Sequence, residues 1–83
     1  MVKEKKLLDK EGIKINLIEL QPGEQIPYHE HKDTKYNYIL RGSMSDERGE
    51  YVQGDIVENL IDSRHSIKAG SEGCEFLVIW GKK

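Results

Sequence analysis

The sequence has a single cysteine, Cys74, only two prolines, and no long apolar run. One cysteine excludes an intrachain disulfide, so the chain is not a disulfide-stapled scaffold. No stretch approaches the roughly 18 apolar residues of a membrane-spanning helix. Met1 to Gly12 is rich in charge and lacks the apolar core of a secretory signal peptide. A cytoplasmic protein with no membrane partner is the expectation. Neither sign of charge prevails, since 13 Lys and Arg stand against 15 Asp and Glu for a net charge of −2. The basic residues are scattered apart from Lys3, Lys5 and Lys6 near the start and Lys82 and Lys83 at the end. Nucleic-acid modules carry a clustered basic face, so no nucleic-acid partner is expected. An amphipathic helix of ordinary length is missing too.

What is present reads as one domain over residues 1–83, with 36% apolar and 34% charged residues. A chain this short buries roughly 60% of the surface it exposes when unfolded, so a metal or a second subunit would help to stabilise it. Glycines at 12, 23, 42, 49, 54 and 70 punctuate short apolar stretches, the pattern of an all-β sandwich or barrel. Lys3 to Lys10 suits either a helical turn or a first strand. Ile13 to Leu20 alternates as a strand, and Pro22-Gly23 marks a turn. Gln25 to His31 suits an irregular or edge strand because it holds Pro27. Tyr36 to Arg41 is a strand closed by Gly42. Arg48-Gly49 is expected at the tip of a hairpin, followed by a short strand over Asp55 to Glu58. His65 to Lys68 and Cys74 to Trp80 are expected as two last strands joined through Gly70 and Gly73. The final stretch is apolar on both faces, so both faces need cover: the interior for one, a second layer or a homodimer partner for the other.

Candidate chemistry rests on the three histidines of the chain, His29, His31 and His65. Residues two apart on a strand share a face, so His29 and His31 can offer two imidazoles to one divalent metal. His65 is the one remaining histidine that could complete a set. Three nitrogens leave coordination positions open for water or substrate. The residues alone equally allow three dispersed histidines with surface or core roles. Gln25 and Asn37 share the parity of the histidine face on regular strands and are candidate pocket residues. Tyr28, Tyr36 and Tyr38 have the opposite parity and suit packing or an interface. Trp80 suits a core or dimer contact or the border of a cavity, and Cys74 reads as a small core hydrophobe.

The spacing of these residues resembles the cupin family. Gly23, five residues, His29-Glu30-His31, three residues, Lys35, six residues and Gly42 follow the first cupin motif. Gly54, five residues, Leu60-Ile61-Asp62, two residues and His65 follow the second. The resemblance runs from about Gly12 to Trp80. The stretch from Arg41 to Tyr51, with Gly54, Asn59, Ser63-Arg64-His65 and Gly73-Cys74, is similar to the cupin domains of ChrR-type anti-sigma factors. In those proteins the cupin follows a sigma-binding domain. These 83 residues leave no room for one, so sigma-factor inhibition is not expected.

The resemblance implies a cupin-type double-stranded β-helix, or jelly-roll barrel, with His29, His31 and His65 as ligands of Zn, Fe, Ni or Cu. It also shows a departure, since Lys35 stands where the family has a glutamate ligand, and Leu60 and Asp62 replace a proline and a glycine. A lysine ammonium about 5 Å from a divalent ion is repelled by roughly 6–7 kcal/mol at an effective dielectric near 20. Lys35 can swing into solvent, pair with Asp33 or Glu58, or lose its proton in a dry pocket. Three functions follow: a metal-dependent protein that binds or senses a small-molecule ligand, a metal-dependent dioxygenase or isomerase, or a metal-free structural or sugar-binding cupin.

Overall fold

The computed structural model describes the backbone of residues 2–30, 35–60 and 64–81, and the side chains of these except 27–30, 64 and 81. Seven strands make up the described chain: β1 Lys3–Lys10, β2 Ile13–Leu20, β3 Gln25–Glu30, β4 Lys35–Asp46, β5 Gly49–Val52, β6 Ile56–Asn59 and β7 Arg64–Gly81. The all-β expectation holds, and Lys3 to Lys10 resolves as a strand. The β1–β2 turn is Glu11-Gly12, both at positive φ (55° and 83°), as a two-residue hairpin of primed type requires.

Two expected boundaries are corrected. Gly42 does not close a strand: β4 continues through it to Asp46, because glycine takes φ of 76° there and lets the strand bend. Likewise Gly70 and Gly73 do not separate two final strands but bend one strand of 18 residues. The β4–β5 hairpin turns on Glu47-Arg48, since Asp46 pairs with Gly49.

β7 is the spine. On one flank it pairs antiparallel with β2 through Ile13↔Gly81 to Leu20↔Cys74, then with β3 through Gln25↔Lys68 to Glu30↔Arg64. Thus β2 and β3 act as one long strand interrupted at Pro22-Gly23. On the other flank β7 pairs with β4 from Tyr36↔Ile79 to Ser45↔Lys68. The far side of β4 carries β6 and β5. All seven strands therefore belong to one sheet, ordered β1-β2-β7-β4-β5 along its main path. The sheet curls around a core but does not close, so the barrel of the sequence reading is an open one: no pairing between β1 and β5 occurs among the described residues.

The curl depends on a crease where backbones meet. A Cβ on Gly42 would fall 2.1 Å from the Gly73 carbonyl oxygen, and one on Gly73 would fall 2.7 Å from that of Leu20. Only glycine allows three strands to approach this way at the bend. Inside it lie Ile18, Leu20, Ile39, Met44, Val57, Ile67, Ala69, Cys74 and Phe76. Cys74 is fully buried, and burial pushes its thiol up to about 11, with Arg41 lowering it and Glu75 raising it to smaller extents. It packs as a core hydrophobe. On the outer face Tyr36 and Tyr38 stand opposite Ile79 and Leu77, which in turn face Ile15 and Leu17.

The crease yields a test. Gly23→Ala meets open space at φ +73°, so it should cost only the left-handed backbone penalty of about 1–2 kcal/mol. Gly42→Ala adds a collision with backbone that cannot yield and should cost more than about 3 kcal/mol. Thermal melts of the two variants should differ accordingly; equal melting temperatures would remove the crease argument.

Candidate functional site

A cavity of about 170 Å³ opens on the inner face of the curl, with walls from β1, β2, β3, β4 and β7. Its apolar walls are Ile18, Ile26, Ile67, Phe76 and Val78, and its polar wall groups are Glu4, Lys35, Asn37, His65 and Trp80. The volume is close to that of a roughly 150 Å³ cavity that holds benzene, so it suits a ligand of about one ring.

His65 is 4% exposed and lies near the start of β7. Its Nδ1 sits 3.3 Å from Asp46 Oδ2. Asp46 ends β4, and only 2% of its side chain is exposed. Burial pushes its carboxyl up, but hydrogen bonds from the Arg48 amide, the Arg48 guanidinium and the His65 ring outweigh that and hold it below the usual carboxylate range. An ionised Asp46 accepts only, so Nδ1 of His65 carries the proton and donates it.

The sequence builds this acceptor locally. Asp46 Oδ1 accepts from the amides of Arg48 at 2.8 Å and Gly49 at 3.3 Å, an Asx-type turn that shapes the hairpin. Tyr51 Oη donates to the same oxygen at 3.2 Å; burial first and the Asp46 charge second raise its pKa. Arg48 Nη2 reaches Asp46 Oδ2 at 3.1 Å and Asn59 Oδ1 at 2.9 Å, while Nη1 donates to the Glu58 carbonyl at 2.9 Å. The guanidinium thus compensates the buried carboxylate and ties the β4–β5 hairpin to β6. Asn59 Nδ2 is left buried with no hydrogen-bond partner among the described residues, a cost of about 1–3 kcal/mol that the network carries. Next to His65, the Ser66 amide and hydroxyl donate to Glu47 at 3.0 Å and 2.7 Å. The Ser66 hydroxyl first and its amide second lower the pKa of Glu47. His65 is therefore fixed at its ring by Asp46 and at its neighbouring backbone by Glu47.

Of the other histidines, His29 lies directly opposite His65 in the β3–β7 ladder. Its side chain, and all of His31, lie outside the described residues. Among the described residues no three His, Cys, Asp or Glu side chains are grouped to hold an ion. Lys35 and Asn37 line the cavity with His65, and Asn37 is buried. Gln25 does not: it is exposed on a separate groove with Asp46 and Glu47. The reason is an extra residue in β3. Ile26 pairs with Ile67 and His29 with His65, so three steps on β3 match two on β7. This bulge reverses the parity on which the placement of Gln25 relied.

Lys35 is half-buried rather than out in solvent, and its Nζ packs 5.1 Å from the centre of the Trp80 ring. Glu58 stands opposite Tyr36 on the outer face, whereas Lys35 stands opposite Asn59; Asp33 lies outside the described residues. Trp80 forms part of the cavity wall. Cys74 sits in the core. Sequence reasoning passed over Asp46, Arg48 and Tyr51 as functional residues. Their signals were present: Asp three residues before Gly49 is a turn signature, and Asp46 shares the inward parity of Met44.

Solved structures of the same shape include cupins. The chain matches a chain of the complex of Rhodobacter sphaeroides SigE with the anti-sigma ChrR at TM-score 0.89 and 22% identity, over 95% of its own length and 44% of that chain. A cupin superfamily protein from Desulfitobacterium hafniense matches at TM-score 0.85 and 21% identity, covering 100% of this chain and 79% of that one. A variant of Bacillus subtilis oxalate decarboxylase matches at TM-score 0.80 and 28% identity, covering 88% and 22%. An open, curled sheet with a histidine-bearing cavity on its inner face thus belongs to the cupin class. Within that class the chain is a member of the ChrR Cupin-like domain family, whose model matches residues 2–83. No curated protein matches the sequence. No helix among the described residues is long and apolar enough to cross a membrane.

Asp46 is the center of this network, and its replacement is testable. Asp46→Asn should lower stability by about 1–3 kcal/mol in urea unfolding near neutral pH. Glu50→Gln, at an exposed position of the same hairpin, should change it by less than about 0.5 kcal/mol. Equal values would mean that the carboxylate is dispensable to the fold.

Proposed function

We propose that the protein is a metal-binding cupin that binds or senses a small ligand, with His29, His31 and His65 as ligands of one divalent ion. The observation that supports this reading is the register: His29 is the β3 position paired with His65 in an antiparallel ladder, and His65 lines the cavity. Directly opposed positions of such a ladder are the nearest cross-strand neighbours. The donor set fits as well. Imidazoles that bind metals typically give their other N–H to a carboxylate, and Asp46 fills that place for His65 through Nδ1, so Nε2 is the nitrogen that would serve as ligand. Zn, Fe, Ni and Cu all suit imidazole. The ion would supply Lewis acidity and open positions for a ligand. The chain's own residues shape what enters: aliphatic walls exclude water, Asn37 offers an amide, and Lys35 brings a cation.

The likeness to oxalate decarboxylase favours a second reading, a metal-dependent enzyme, on the same residues. In either case the protein works as a homodimer in the cytoplasm. The exposed apolar side chains of Tyr36, Tyr38 and Ile56 on the outer face support the dimer.

Elemental analysis of untagged protein, grown with metals in excess, tests the site. Parent protein should carry a stoichiometric divalent ion, and His29→Ala, His31→Ala and His65→Ala should each lose most of it. A near-zero content in the parent would overturn the reading. Lys35→Glu restores the family's carboxylate and should tighten the metal by about tenfold or more, as removal of a repulsion of this kind implies; competition with a chelator measures it.

A further inference from the structure

We propose that the cavity selects a small carboxylate of about one ring in size, with Lys35, seated on Trp80, as its anion-binding group. The inference rests on reading this cavity as a ligand site, but not on the metal. Three observations carry it. Lys35 is a half-buried cation that lines a cavity with both apolar and polar walls, with its Nζ 5.1 Å from the Trp80 ring centre. A second ammonium, Lys14 Nζ, lies 5.9 Å from the same ring. The acid in the wall, Glu4, has its Oε2 engaged by Asn16 Nδ2 at 2.6 Å.

The physical argument is one of charge and reach. Stacking on an indole face is worth about 0.5–2 kcal/mol, and it holds a flexible lysine at the cavity instead of letting it extend into water. An ammonium so placed has N–H groups to give and no acceptor capacity. An anion entering the cavity meets it in a water-poor setting, where a charge-assisted hydrogen bond is strongest. Asn37 adds an amide on the same wall, and Ile26, Ile67 and Val78 cover an apolar body. A ligand carboxylate would also sit between Lys35 and any ion at the histidines, and so turn their mutual repulsion into two attractions. The replacement of the family's glutamate by lysine then makes chemical sense: the carboxylate missing from position 35 is brought by the ligand.

Trp80 is the only tryptophan of the chain, so its fluorescence reports on the cavity directly. Benzoate is the probe, with benzamide as its neutral counterpart, each titrated into chelator-treated and metal-loaded protein. Calorimetry provides the same affinities independently of the indole. Benzoate should give a saturable change in both forms, benzamide should bind at least tenfold more weakly, and Lys35→Met should weaken benzoate at least tenfold while Lys35→Arg largely retains it. Metal content is measured on the same samples. Lys35-dependent benzoate binding in protein that takes up no metal upholds the carboxylate site and removes the metal reading. Absence of saturable benzoate binding, equal binding of benzamide, or benzoate binding indifferent to Lys35→Met overturns the proposal, whatever the metal content.

Discussion

The approach of Gly42 to the Gly73 carbonyl is the constraint on which the rest of the structure depends. A sheet of this size is flat enough to have two solvent-facing surfaces unless it is bent, and bending requires strands whose backbones can touch. With a side chain at either position, β4 and β7 could not crease together, and the inner face would lose its enclosure. The same crease brings the β4–β5 hairpin alongside the first turn of β7, where Asp46 meets His65 and Glu47 meets Ser66. The site is thus a product of the bend rather than of any one strand.

Charge is the second organising element. A carboxylate with its side chain almost wholly out of water is unfavourable unless paired and fully hydrogen-bonded. Asp46 meets that condition with two backbone amides, a tyrosine, a guanidinium and an imidazole. Its counterpart is Lys35, a cation of the cavity wall held on an aromatic face, with no carboxylate paired to it among the described residues. The two sit at different walls of the same inner face, one orienting a histidine and the other setting the charge that an incoming molecule meets.

Much of the fold was legible in the sequence because it is written in short-range signals. Ile13 to Leu20 reads as a strand and resolves as β2 with those bounds, and Pro22-Gly23 turns where it should. The family resemblance, carried by glycine and histidine spacing, matches the family to which the chain belongs. What stayed hidden depends on distant pairing. Gly42 and Gly73 look like strand ends, because a glycine that ends a strand and one that bends it have the same local appearance; only the partner strand distinguishes them. Gln25 was misplaced for a related reason. Parity counting assumes an unbroken ladder, and the additional residue between Ile26 and His29 is visible only against β7. Asp46 and Arg48 stood in a stretch whose turn chemistry was readable, yet their connection to His65, 19 residues from Asp46, is a matter of topology. Lys35 on Trp80 joins positions far apart in the chain, and no local pattern announces it.

An unclosed sheet leaves raw backbone along its rim, and β1 forms one such rim. All eight of its residues are exposed, four of them lysines. Lysine-rich borders discourage the stacking of one molecule's sheet onto another's, because like charges would have to be brought side by side and stripped of water. This border therefore lets the protein do without closure and still avoid growing into fibrils.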